Sequence, residues 1–285
     1  MRPVDYFSPK SLSEACTLLA ELGPDVNVLA GGTDLLLELR NSHHTSEKPL
    51  VDISTISGLR GIEESGDSIV IKSLTTHDDL VRSPIITQWA PALAHAASMI
   101  GSPQIRNRGT VGGNIMNAAT CADTVPPLIV LDARVTLLSK GKERQVDLGK
   151  FFVEPYRTVA TKDEILAEIR FQKPPTNARS SFVKLGRRNA VSIARLSVAA
   201  MLLTDIGGTI EEARIVPGAA FPTWQRVTAA EQLLVGKKGG KSLFEQAGKI
   251  VSEAIISFTG RRWSTEYKEP VIGVLVRRAL ERCLK

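Results

Sequence analysis

Hydrophobic and polar positions along these 285 residues follow two different periods. Leu12, Ala15, Leu18, Leu19 and Leu22 fall on one face of a helix. Ser11-Leu12-Ser13-Glu14 reads as its capping box, with Glu14 reaching back to Ser11, and Gly23-Pro24 ends it. Val51-Asp52-Ile53 and residues 68–73 read as short strands, Thr76-His77-Asp78-Asp79 as the start of a second helix, and residues 91–100 as a third stopped by Gly101. A helix over 123–132 would hold Pro126-Pro127 in its first turn. Residues 135–138 and 144–148 make a hairpin around Lys140-Gly141. Over 164–171 the period is two: Ile165, Ala167, Ile169 and Phe171 share one face. Leu166 is then an apolar residue on the face of Glu168 and Arg170.

Pro174-Pro175-Thr176-Asn177 is a stiff polar connector and the best boundary. It divides the chain into a domain over residues 1–175 and another over 176–285. The second contains strands over 181–185, 196–204 and 210–216, then helices over 243–256 and 269–284. The pattern is α+β, ending in a three-stranded sheet with helices on one face.

The net charge of +6 is spread over short basic pairs such as Arg187-Arg188, Lys237-Lys238, Arg261-Arg262 and Arg277-Arg278. Without interleaved aromatics these are not a nucleic-acid platform. No apolar run approaches the ~20 residues of a membrane span, and Met1 to Tyr6 lacks a signal-peptide core. A cytoplasmic location is expected. Cys16, Cys121 and Cys283 offer neither a disulfide framework nor metal spacing. His43, His44, His77 and His95 read as surface or cap residues.

Two glycine-rich loops carry the chemistry. Ala30-Gly31-Gly32-Thr33-Asp34 follows the apolar run ending at Leu29 and opens into Leu35; Gly109-Thr110-Val111-Gly112-Gly113-Asn114 lies about eighty residues on. Paired glycines let backbone N–H groups approach an anion closely, so the two loops together suit a pyrophosphate gripped from both sides. Asp34 is placed to cap the following segment, leaving its neighbours' N–H groups for phosphate, and Asn114 brings an amide donor and acceptor. Asp123 has two readings, a carboxylate on ribose or adenine and a helix N-cap. No G-x-G-x-x-G follows a strand, and the spacing before Gly240-Lys241-Ser242 is too short for a P-loop. A phosphate site of backbone N–H groups with no nearby lysine suits a permanently held flavin.

At Gly101 to Asn107 and the loop after it, the chain resembles the FAD-binding medium subunits of the molybdenum hydroxylases, the xanthine dehydrogenase and carbon monoxide dehydrogenase family. The likeness takes in Ala30 to Leu35, Thr120-Cys121-Ala122-Asp123, Phe182 to Arg188 and Arg262 to Lys268, and so nearly the whole chain. It implies a two-lobed FAD domain of the vanillyl-alcohol-oxidase type and a C-terminal flavoprotein domain. It implies non-covalent FAD with Leu29 to Leu35 and Thr110, Val111, Gly112, Gly113 and Asn114 around the pyrophosphate, Asp123 near the ribose and Leu166 at the isoalloxazine. Lys184 would sit at the flavin edge, where a cation stabilises a reduced, anionic ring. Ile100 replaces an aromatic residue of some relatives. No cysteine-bearing insertion for an extra iron–sulfur cluster is present.

The implied function is electron transfer within a complex most like bacterial xanthine dehydrogenase. Molybdopterin and [2Fe–2S] clusters reside on partner subunits, and NAD+ or another acceptor takes the electrons. The competing readings are a self-contained flavin oxidoreductase, which needs a base beside the flavin that the sequence does not offer, and a structural subunit that has lost FAD.

Overall fold

A computed structural model describes residues 4–41, 48–188, 190–261 and 265–285. His43, His44 and Arg262-Trp263-Ser264 lie outside the described residues.

The first lobe is a parallel sheet in which Leu50–Asp52 runs between Tyr6–Phe7 and Asn27–Leu29. Helix Leu12–Leu22 buries Ala15, Cys16 and Leu19 against it. Ser11 Oγ accepts the Glu14 N–H as expected. The reciprocal bond differs: Glu14 takes the N–H of Lys10, one residue before the cap. The second lobe is a five-stranded sheet in the order Ile62–Ser65, Ser68–Lys72, Ile165–Gln172, Arg134–Ser139, Lys142–Asp147, with every pair antiparallel.

Strand Ile165–Gln172 departs from the alternation read in the sequence. The register shifts between Leu166 and Glu168, so Ala167 is the extra residue of a β-bulge. The inserted residue reverses the facing. Ile165 and Ala167 enter the core of the first lobe, whereas Leu166, Ile169 and Phe171 enter the larger core of the second. Leu166 is apolar because it is buried there.

Strands Ala178–Gly186, Ala194–Thr204 and Ile210–Gly218 form the C-terminal antiparallel sheet. Val198, Ala200 and Leu202 face helices Lys241–Thr259 and Thr265–Cys283, while Phe182, Ala199, Met201 and Val216 join the core of the second lobe. The face without helices is therefore covered by the second lobe, which explains the near-continuous apolar run of the central strand. Among the described residues no helix is long and apolar enough to cross a membrane.

Candidate functional site

Both glycine loops border one cleft of about 450 Å3. Ala30 to Leu35 form one wall, and Thr110, Gly112, Gly113 and Asn114 another; Leu166 also lines it. The structure thus brings together most of the residues singled out in the sequence. Leu29 only leads the chain in, Val111 is fully buried beneath the second loop, and Asp123 and Lys184 lie outside this cleft.

The two loops are not equivalent. Among the described residues, the N–H groups of Gly31, Gly32, Thr33, Asp34 and Leu35 have no acceptor within the chain; donation resumes at Leu36 and Glu38. In the second loop every amide but that of Thr110 is spent among the described residues. Gly109 N–H goes to Ile105 O, Val111 to Thr75 O, Gly112 to Ser73 O and Asn114 to Thr110 O. Gly113 N–H goes to Thr110 Oγ1, which caps helix Val111–Asn117. The free backbone donors are therefore unequally shared: five on the first loop, and on the second the Thr110 N–H alone. The glycines of the second loop serve close packing instead: a Cβ on Gly112 would stand 2.5–3.0 Å from Ser73, whereas Gly113 faces Ala30 across the cleft. Only Gly32, at φ +76°, needs the left-handed conformation.

Asp34 directly precedes helix Leu35–Asn41 and its carbonyl accepts the Glu38 N–H, without a side-chain cap bond among the described residues. Its carboxylate meets the Thr33 hydroxyl, and desolvation raises its pKa. Asn114 Oδ1 accepts from Thr124 at 2.8 Å, so the Nδ2 end is the one left for a ligand.

Asp123 is not the N-cap of helix Val125–Val130; Thr124 occupies that position. Asp123 instead pairs with Lys184 at 2.5 Å, and Lys184 also donates to Met99 O. Both side chains are about 5% exposed. Burial outweighs the Lys184 charge and pushes the Asp123 carboxyl up to about 6. Its Oδ1 has no partner. The pair adjoins the cleft through Thr124 and Asn114.

Sequence reasoning missed a third wall, residues 156–162, which brings Arg157 and Lys162 to the cleft and so corrects the expectation of a site without lysine. Its fastening is local. Glu164 takes two bonds from Arg144, at 2.6 and 2.8 Å, and accepts the Thr161 N–H. These bonds hold the Glu164 carboxyl below the usual range against its desolvation. Also missed were Ser73 and His77, buried residues that line the cleft beneath the second loop. The motif Thr76-His77-Asp78-Asp79 announced the helix cap, which is present, but nothing local announced burial of the imidazole.

The orphan buried atoms Ser73 Oγ and His77 Nδ1 and the five unpaired N–H groups suit a phosphate-bearing ligand with many acceptor oxygens. Fold and cleft together define an α+β dinucleotide-binding protein whose C-terminal sheet packs on its binding domain. Residues 2–174 match the family described as the FAD binding domain in molybdopterin dehydrogenase, and residues 181–283 the CO dehydrogenase flavoprotein C-terminal domain. The chain is 32% identical over 276 residues to the carbon monoxide dehydrogenase medium chain of Hydrogenophaga pseudoflava, covering 97% of this chain and 95% of that one. It is 33% identical over 281 residues to a putative xanthine dehydrogenase FAD-binding subunit of Escherichia coli K12, covering 98% and 95%. A solved carbon monoxide dehydrogenase structure from H. pseudoflava superposes with a TM-score of 0.92 at 33% identity, over 100% of this chain and 99% of that chain. The chain belongs to the FAD-binding subunits of the molybdenum hydroxylases, which are not the molybdenum-binding subunits.

Proposed function

We propose that this chain carries FAD in a molybdenum hydroxylase complex, receives electrons from [2Fe–2S] clusters on one partner subunit, and delivers them to NAD+ or another acceptor. Substrate hydroxylation then belongs to a molybdopterin-bearing partner. The observation that carries this reading is the row of unpaired N–H groups from Gly31 to Leu35 along one wall of the cleft.

Bound FAD would supply an isoalloxazine that accepts and releases electrons. The residues of the chain bind and orient it. Gly31 to Leu35, led in by Leu29 and Ala30, direct N–H groups at the diphosphate, Asn114 adds its amide, and Thr110, Gly112 and Gly113 form the opposing wall over the buried Val111. Leu166 offers an apolar surface. Asp123 and Lys184, paired with each other beside Asn114, would serve the ribose and the ring edge respectively. The self-contained oxidoreductase gains no support from His77: burial and the nearby Arg106 press its pKa down to about 4, too low for a general base at neutral pH.

Co-expression with the candidate partner subunits, followed by an inventory of flavin, iron and molybdenum in the purified complex, tests the assignment. We expect FAD on this chain, reduction of that flavin by dithionite or NADH, and no reduction by a purine or aldehyde unless the partners are present. Bleaching by such a substrate with this chain alone would establish the self-contained enzyme instead.

A further inference from the structure

We propose that His77 is a further cofactor-binding residue of this cleft, its Nε2–H donating to an oxygen of the diphosphate–ribose portion of FAD from the side of the second glycine loop. The inference rests on the proposed FAD-carrying function. It deepens that function by naming a side-chain donor on the wall where the backbone has few to give.

The need for it follows from the hydrogen-bond accounting. The amides of Gly109 and of Val111 to Asn114 are all committed within the chain, which leaves the Thr110 N–H as the one backbone donor of that loop and makes side-chain donors on that wall valuable. His77 is 3% exposed and lines the cleft. Its position is fixed twice over. Its own N–H donates to Gly109 O at 3.0 Å, and Thr76 and Asp79 close a complete capping box around it. The ring lies on the open face of Gly109: a Cβ there would stand 3.1 Å from Cδ2 and 3.4 Å from Nε2. A side chain at Gly109 would thus press on the imidazole and, at 3.2 Å, on Ile105 O.

The tautomer follows from the same surroundings. Nδ1 is buried and has no partner. A buried N–H without an acceptor is rarer in native proteins than an unused lone pair, which puts the proton on Nε2, the nitrogen beside the second loop. Since burial and the neighbouring Arg106 keep the ring neutral, Nε2 is a donor and Nδ1 is not. Ser73 strengthens the assignment. Its N–H goes to Ala167 O and its carbonyl accepts from Gly112, yet its buried hydroxyl has no partner. Two orphan polar groups in one wall of one cleft call for a polar ligand.

Three variants of the purified full-length protein, in complex with its partner subunits, test this. The side-chain amide nitrogen of glutamine overlays Nε2 of histidine, whereas that of asparagine overlays Nδ1. FAD affinity, measured by quenching of flavin fluorescence, should weaken roughly 10- to 100-fold in His77→Ala, the scale of one hydrogen bond to a charged group. His77→Gln should recover most of the loss and His77→Asn should not. ADP, which carries the diphosphate and ribose without the flavin ring, should lose affinity by the same factor in His77→Ala. A packing defect alone would lower the urea midpoint in step with FAD affinity, whereas loss of the donor lowers affinity in variants of equal stability. Wild-type FAD affinity in His77→Ala, or equal behaviour of the Gln and Asn variants, overturns the inference and leaves the proposed function standing. Failure of the wild-type protein to bind FAD would overturn both.

Discussion

The α-carbon of Gly31 lies against the backbone carbonyl of Arg108, so closely that a Cβ at position 31 would stand 2.1 Å from that oxygen. The two glycine loops therefore touch through their main chains. Gly31→Ala must push them apart, a strain of about 1–3 kcal/mol for inserted bulk that cannot be absorbed by a rotamer change. Gly113→Ala meets only the Thr110 hydroxyl, at 2.8 Å, and should be milder. Bound FAD per chain and the urea midpoint check this ranking. Stoichiometric FAD and unchanged stability in Gly31→Ala would disprove the contact.

His77 and Asp123 should make opposing contributions to the pH dependence of stability. His77 titrates near 4 in the fold against 6.5 in the open chain, because burial disfavours its cation. Between those values the unfolded chain binds the extra proton, so this group makes stability rise with pH and then level off above 6.5. Asp123 titrates near 6 against 3.8. Here the folded state holds the extra proton, so stability falls as pH rises from 3.8 to 6. Each span corresponds to about 3 kcal/mol, at about 1.4 kcal/mol per pH unit. The two nearly cancel in the wild type. His77→Gln should unmask a profile that declines between pH 4 and 6, and Asp123→Asn one that climbs. Denaturation at a series of pH values reads both, and parallel profiles in the two variants would refute the assignment.

The two domains are joined by a charged cluster at the end of helix Val125–Val130. Arg214 donates to Val130 O at 2.8 Å and pairs with Asp132 at 2.7 Å, while Arg226 binds both Asp132 and the buried Glu231. Glu231 also accepts the Ile215 N–H. Glu231→Ala strands Arg226 and that amide, and should cost about 3–5 kcal/mol. Arg214→Ala should cost less, and should speed hydrogen exchange in 125–130 selectively. A uniform increase over the whole chain would count against a local clamp.

Non-covalent attachment is expected. Of the described histidines, His95 is exposed on helix Pro91–Ser98 outside the cleft, and His77 faces the second glycine loop. Burial raises the Cys121 thiol pKa, and the neighbouring Asp123 raises it further, so it is a poor nucleophile. Acid precipitation should leave all of the yellow colour in the supernatant. A coloured pellet would point first to Cys121.

Local signals were read well where structure is locally determined. The caps of helices Leu12–Leu22 and His77–Arg82 and the hairpin from Arg134 to Asp147 all form. The misreadings share a physical cause, which is that the deciding partner is distant in sequence. Alternation through residues 164–171 concealed the bulge at Ala167, because both faces of that strand are buried and either phase looks apolar. Helix Val111–Asn117 contains two glycines and two asparagines, poor helix formers. It is held by the Thr110 cap and by bonds from its first amides to Ser73 and Thr75. The burial of His77 depends on Gly109, and the partner of Asp123 is 61 residues away.

The unequal commitment of amides in the two loops has a kinetic side. Val111 to Asn114 have their protons engaged by the protein itself, so they should exchange slowly with solvent deuterium whether or not the flavin is bound. Gly31 to Leu35 have no such engagement, and their protection should arise only when phosphate oxygens arrive. One side of the pocket is thus a finished template and the other a wall completed by its guest. The exchange rates of those five amides would serve as an occupancy gauge for the cofactor, independent of its colour.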